Sequence, residues 1–288
     1  MVKKKLRNAV RKIIRARDGE TIADELDRKY KHIIRLIPHK QYSLDQLIYD
    51  LKRMGVRAGD VLIVHSSWNG MYALQSSPQK VINALLNLIG REGTLIMPCY
   101  SLPDSFVDLD CFISKAGIMS EILHKKEGAI VSEFPKFTMV AYGKEANEIV
   151  GMHSKSNYQF DEYSPYYIAM NKYDAKILML GLGRNPHKIT VFHCASYDNR
   201  DTVPFYKDCY TKECKCDVKK NGTIHTYDYI DRANVYANDK RIFRKLFAQT
   251  KKVMKCFPGY SMIVYKAKDA YNTAYKFCSE GGEIYKVR

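Results

Sequence analysis

The sequence predicts an α/β fold in which helices cover both faces of a sheet. Short apolar runs rich in β-branched residues recur at "DVLIVHSS" (60–67), "GTLIMPCYS" (93–101) and "KILMLGLG" (176–183). Each is too short for a helix and reads as a strand buried on both sides. Segments with apolar residues at helical spacing alternate with them, as in a sheet wrapped by its own connections. No Ser/Gly-rich or Pro-rich linker and no internal repeat interrupts the pattern.

Residues 1–40 read as a separate basic helical extension. Leu6, Val10, Ile13 and Ile14 share one helical face and Lys and Arg fill the rest. Two readings stand: an interfacial helix on anionic lipid, or a helix packed on the main domain or on a partner subunit. Residues 41–288 read as one domain. Its first helix opens at Ser43, which with Gln46 forms a capping box, carries the stripe Leu44, Leu47, Ile48 and Leu51, and stops at Gly55. The strand 60–67 follows, then the helix "SPQKVINALLNLIG" and the strand 93–101. Beyond residue 200, "KCDVKKNGTIHTYDYI" alternates about Asn221-Gly222, a strong short hairpin signal. "RIFRKLFAQTKKVMKCF" reads as one late helix ending before Pro258-Gly259, and the final stretch as a strand and a closing helix.

Composition narrows the function. The 288 residues are 46% hydrophobic and 27% charged, as in a globular soluble protein. No apolar run reaches the ~20 residues of a membrane span, and the N-terminus lacks the uncharged apolar stretch of a secretory signal. The expected location is cytoplasmic, with residues 1–20 a candidate for peripheral contact with the inner face of the membrane. Lys and Arg total 47 against 31 Asp and Glu, a net charge of +16. That balance suits an anionic small molecule or a lipid surface. Nucleic acid is not the expected partner, because no RNP1 or GXXG signature occurs. The eight Cys are expected to be reduced thiols. Cys209, Cys214 and Cys216 are spaced C-x4-C-x-C rather than in the paired C-x2-C of a zinc ribbon, so no metal is expected.

Two stretches could carry chemistry. "VHSSWNG" (64–70) follows a buried strand, where the ligands of α/β sheets bind. It is neither a P-loop nor a dinucleotide fingerprint. "TVFHCASYD" (190–198) holds His193, either a general base or a hydrogen-bonded core histidine. Cys194 diverges from it on a strand or a helix alike, which argues against a Cys–His dyad. No G-x-S-x-G elbow occurs.

In order and spacing these segments resemble the aminoglycoside 3-N-acetyltransferase family, which is distinct from the GNAT acetyltransferases. "GDVLIVHSSWNG" resembles that family's strand and "VHSSL" loop, and "VINALLNLIGREGTLIMPCYS" its helix and "GTLxMPT" strand. "AGIMSEILHKKEGAIVSEFPKFTMVAYGKEA" resembles its "G-x-x-x-E … S-x-x-P … G-x-x-A" block. "YSPYYIAMNKYDAKILMLGLG" resembles its "SP" segment and next strand, and "TVFHCASY" its "T-x-x-H-x-A-E" motif. The likeness spans about residues 42–270.

The resemblance implies a central mixed sheet covered by helices on both faces. It also implies a catalytic domain that moves an acetyl group from acetyl-CoA to the amine of an amino sugar, without a metal. His193 is then the general base. Ser66 and Ser67, with the backbone of Trp68 and Asn69, hold the donor, and Thr190 lies near the thioester. Departures fall on the acceptor side. The family's Glu three residues after the His is Ser196 here, with Asp198 or Asp201 as possible substitutes. "RSxHP" becomes "VSEFP", with Val131 for Arg and Phe134 for His, leaving Ser132. Ser196, Asp198 and Ser132 are the candidate acceptor contacts. A +16 protein attracts aminoglycoside polycations poorly. An amino sugar linked to a nucleotide or lipid phosphate, as in polysaccharide biosynthesis, is the expected acceptor, with an aminoglycoside antibiotic as the other. The opposing reading is a catalytically silent relative that binds or scaffolds, motivated by Ser196.

Overall fold

The computed structural model describes residues 38–100 and 105–287. The basic extension, including the 1–20 helix proposed for membrane contact, lies outside them except for its last few residues. From Tyr42 onward the chain forms one compact unit.

Helix α1 (Leu44–Arg53) starts where Ser43 Oγ accepts from the Gln46 amide at 3.1 Å. Only half of the expected capping box forms, because the Gln46 side chain turns forward to Asp50 at 2.9 Å. Strand β1 (Val61–Ser66) leads into a 3-10 turn (Trp68–Gly70), helix α2 (Pro78–Ile89) and strand β2 (Thr94–Pro98). Then come β3 (Phe106–Asp108), α3 (Ile118–His124), β4 (Ile130–Val131), β5 (Met139–Gly143), α4 (Ala146–Gly151) and α5 (Pro165–Lys172). The chain continues through β6 (Lys176–Leu180), α6 (Val191–Asp198), α7 (Pro204–Cys209), β7 (Lys212–Lys220), β8 (Thr223–Asp231) and β9 (Val235–Asn238). It closes with α8 (Lys240–Gln249), β10 (Val253–Phe257), β11 (Tyr260–Lys266), α9 (Ala267–Ser279) and β12 (Tyr285–Val287).

Seven strands form the central sheet in the order β10-β11-β6-β1-β2-β5-β4. β1 runs parallel to β2 and β6, and the outer pairings are antiparallel, so the sheet is mixed. Side chains alternate across it. Leu62, Val64, Leu95, Leu178, Leu180 and Met262 face a core shared with α1, α2 and α3. Val61, Ile63, Ile96, Ile177, Met179 and Ile263 face the opposite core, shared with α4 to α9. A smaller sheet, β3-β7-β8, stands apart. Its β7–β8 hairpin turns at Asn221-Gly222 with φ +51° and +74°, the left-handed pair that a two-residue hairpin needs.

The late helix is shorter than its sequence suggests. It ends at Gln249 and Thr250 turns extended, with ψ 132°. Residues 253–257 become β10, paired with β11 across the Pro258-Gly259 turn. Apolar residues in "VMKCF" fit both periods, and the neighbouring strand edge selected the extended form. Lys255 reaches Asp50 Oδ1 at 2.7 Å, while Tyr260 donates to Oδ2 at 2.8 Å. Asp50 is 4% exposed, so these bonds satisfy a buried carboxylate. Among the described residues no helix is long and apolar enough to cross a membrane.

Candidate active site

The site begins with β1 and β6. They lie side by side in parallel, with Ser66 opposite Leu180, so both carboxyl ends open at one level. β1 sits between β2 and β6, which the chain reaches in opposite directions, and such a switch point leaves a crevice beyond the strand ends. The turn after β1 crosses the chain leaving β6 at very short range. Ser67 donates its N–H to the Leu180 carbonyl at 2.8 Å. A Cβ at Gly70 would stand 1.9 Å from the Gly181 carbonyl oxygen, and one at Gly181 would stand 2.2 Å from that of Ser67. Gly181 also has φ +73°. Glycine is required at both points of the crossing.

On this turn Ser66 and Ser67 are half-buried, Trp68 packs on the core beside α1 and α2, and Asn69 is exposed. Ser67 precedes the 3-10 turn, yet its hydroxyl makes no capping bond. Thr190, at the N-terminal edge of α6, likewise makes no side-chain cap and lies within hydrogen-bonding reach of the Tyr166 phenol. Tyr166 Oη also meets His65 Nε2 at 3.2 Å, which joins the end of β1 to the start of α6. Desolvation holds the His65 pKa down at about 4.

His193 lies on a helix, in the first turn of α6. The connection after β6 supplies two positive-φ glycines and then re-enters the core as a helix. The ring is stacked between Phe160, at 5.3 Å between centroids, and Tyr285, at 5.6 Å, with Phe243 tilted against it at 5.6 Å. The residue is 8% exposed. Nδ1 lies 2.7 Å from Tyr285 Oη. Burial, and secondarily the positive Arg232, hold its pKa well below the usual imidazole value. The imidazole is therefore neutral at pH 7, the form able to take a proton.

Phe160 is held in place by its own loop. Asp161 accepts from Ser156 Oγ at 2.7 Å and from the amides of Asn157, Tyr158 and Tyr163 at 2.8, 3.1 and 3.1 Å. Cys194 is fully buried, and burial pushes its thiol pKa well up, so it is packing rather than a nucleophile.

The structure separates the three candidate acceptor contacts. Ser196 is fully buried behind His193, where its hydroxyl meets the His193 carbonyl at 3.0 Å, Tyr210 Oη at 2.6 Å and Tyr285 Oη at 2.8 Å. Asp198 is turned to α9, where its carboxylate accepts from Tyr271. Ser132 is fully buried, with its hydroxyl taken by the Met139 amide and by His153 Nδ1, both at 2.8 Å. Phe134 is stacked on the His153 ring at 4.7 Å, as part of a core. The Ser132 and Ser196 hydroxyls are enclosed with their partners, while Asp198 is half-buried. Residues that sequence reasoning missed are Tyr285, Tyr210, Arg232 and Phe160. The available signal was Ser196 itself, which leaves the imidazole without a carboxylate and so requires another partner.

A sequence model of the family described as aminoglycoside 3-N-acetyltransferase matches residues 63–276. Aminoglycoside N(3)-acetyltransferase IV of Salmonella sp is 28% identical over 191 residues, which are 65% of this chain and 68% of that protein. A histidine-to-alanine variant of aminoglycoside acetyltransferase AAC(3)-IVa in complex with gentamicin superposes with a TM-score of 0.69 at 23% identity, covering 85% of this chain and 91% of that one. AAC-IIIb in binary complex with CoASH superposes with a TM-score of 0.67 at 17% identity, covering 84% and 97%. The fold, the order of the motifs and the match across most of the sequence place the chain in the aminoglycoside 3-N-acetyltransferase family, a family of acetyltransferases.

Proposed function

We propose that the protein transfers the acetyl group of acetyl-CoA to an amine of an amino sugar, with His193 as general base. The observation that carries this reading is a buried imidazole in the first turn of α6, in a chain of this family, on a helix whose leading residue Thr190 is linked through Tyr166 to His65 at the end of β1. An ammonium has no lone pair, so the acceptor must lose a proton before or during attack. The ammonium gives its first proton to solvent; the neutral amine nitrogen then bonds to the thioester carbonyl, the C–S bond breaks, and the second proton, taken from that nitrogen by His193, leaves with the CoA thiol. A base within hydrogen-bond reach contributes roughly 10²–10⁴-fold.

The donor is assigned to the 66–69 turn. Support comes from the uncapped Ser67 hydroxyl, from the exposure of Asn69 and from the CoASH complex of AAC-IIIb. Family membership supports an aminoglycoside as acceptor. The net charge of +16 and the loss of the family's Glu at Ser196 favour an amino sugar carried on a nucleotide or lipid phosphate.

The test is release of CoA thiol from acetyl-CoA across a panel of both acceptor classes. Turnover with one class names the acceptor. His193→Ala is expected to lower turnover by at least ~100-fold with the fold intact. Wild-type turnover in that variant removes the assigned base, and no turnover on any acceptor favours the silent, scaffolding relative.

A further inference from the structure

Resting on that reading of His193, we propose that Tyr285, seated by Ser196 and Tyr210, is the positioning residue that holds the imidazole in its Nδ1–H tautomer and leaves Nε2 bare as the base. Counting protons gives this result. A carbonyl oxygen only accepts, so the 3.0 Å contact between Ser196 Oγ and the His193 carbonyl uses the single Ser196 proton. Ser196 Oγ can then only accept, and its two lone pairs face Tyr210 Oη at 2.6 Å and Tyr285 Oη at 2.8 Å. Both phenols donate to it. The Tyr285 proton is thereby committed, and the 2.7 Å contact with His193 needs a proton from Nδ1. Tyr285 Oη accepts that proton.

Nearby groups favour the same arrangement. Tyr210 Oη lies 3.1 Å from Tyr285 Oη, at longer range than its bond to Ser196. Arg232 sits over the Tyr285 ring with its guanidinium carbon 4.7 Å from the centroid. All three residues are buried, with Ser196 at 0%, Tyr285 at 3% and Tyr210 at 6% exposure. A base whose second nitrogen is held by an acceptor is fixed in both tautomer and ring orientation. In this chain three neutral hydroxyls fix it without a carboxylate beside the ring. Ser196 therefore contributes from behind the base and does not contact the acceptor.

Nitrogen-15 NMR of the full-length protein labelled at histidine tests the assignment, since the two tautomers give distinct ring-nitrogen shifts. Wild-type His193 is expected to be protonated at Nδ1. Tyr285→Phe removes the acceptor. It is expected to move the ring toward the Nε2–H form and to lower kcat by at least about 10-fold, with KM for acetyl-CoA unchanged, because a base in the wrong tautomer cannot take the proton. Ser196→Ala frees the Tyr285 proton for Nδ1 and is expected to shift the tautomer in the same direction. An Nε2–H ring in the wild type overturns the proposal without any variant having to fold, as does an unchanged tautomer and kcat in a folded Tyr285→Phe. Wild-type turnover by His193→Ala, with the tautomer as expected, instead overturns the general-base reading and leaves the hydrogen-bond assignment standing.

Discussion

At the scale of single residues, burial decides what each polar group can do. His193 and Cys194 are neighbours in sequence, and burial keeps both uncharged. Neutrality makes an imidazole a base, but it makes a thiol inert. The same argument sorts the cysteines. Cys111 is exposed, whereas Cys99, Cys194, Cys209, Cys216 and Cys278 are buried, and all eight are free thiols. Brief treatment of the native protein with a maleimide, followed by peptide mass spectrometry, is expected to modify Cys111 well ahead of Cys194. Comparable labelling of Cys194 would show that α6 opens readily. The candidate contacts Ser132, Ser196 and Asp198 illustrate what a motif cannot reveal. Their residue types suit an acceptor site, but the two hydroxyls are engaged by Met139 and His153 and by two tyrosines, and one oxygen of the carboxylate accepts from Tyr271.

At the scale of elements, the crossing of Gly70 over Gly181 joins the proposed donor turn to the segment that delivers α6. Gly181→Ala brings a Cβ to 2.2 Å from the Ser67 carbonyl, in a left-handed conformation that costs a side chain about 1–2 kcal/mol by itself. The contact forces the 66–70 turn outward. We expect a lower Tm together with a raised KM for acetyl-CoA. A fall in Tm with KM unmoved would detach this turn from donor binding. Elements were legible where their local chemistry was unambiguous: the Ser43 cap, the Asn221-Gly222 hairpin, and the apolar runs that became β1, β2 and β6. The segment 250–257 was not, because its apolar residues satisfy a helix as well as a strand and only the edge of β11 distinguishes them.

At the scale of the whole molecule, desolvated histidines set the pH response, chiefly the buried His153 and His193 and the half-buried His65. Desolvation lowers the pKa of His65 to about 4 and of His153 to about 3, and that of His193 well below the ordinary value. Between those values and the unfolded value of about 6.5, the unfolded chain binds more protons than the native one, so stability falls as pH drops below ~6.5. Each such group contributes up to about 1.4 kcal/mol per pH unit within its window. Asp161 and Asp198, raised by burial, act in the opposite sense. Burial lowers His124 and His187 as well, so the histidines outweigh the two aspartates; the urea midpoint is expected to be lower at pH 5 than at pH 7.5, and His153→Gln should reduce the difference. Equal midpoints would mean that these rings are protonated or hydrated in the native state.

By itself the sequence determined the α/β class, the strands that form the centre of the sheet, the family likeness and the histidine on which the chemistry is proposed to turn. These follow from periodicity and residue type within short windows, which local sterics and solvation enforce. Tertiary structure alone decided what surrounds that histidine. Tyr285 lies 92 positions away in the chain and Ser196 only three, yet both complete the same buried cluster. No local pattern encodes such a partnership, because it forms only when β12 and α6 are packed together and water is excluded from between them.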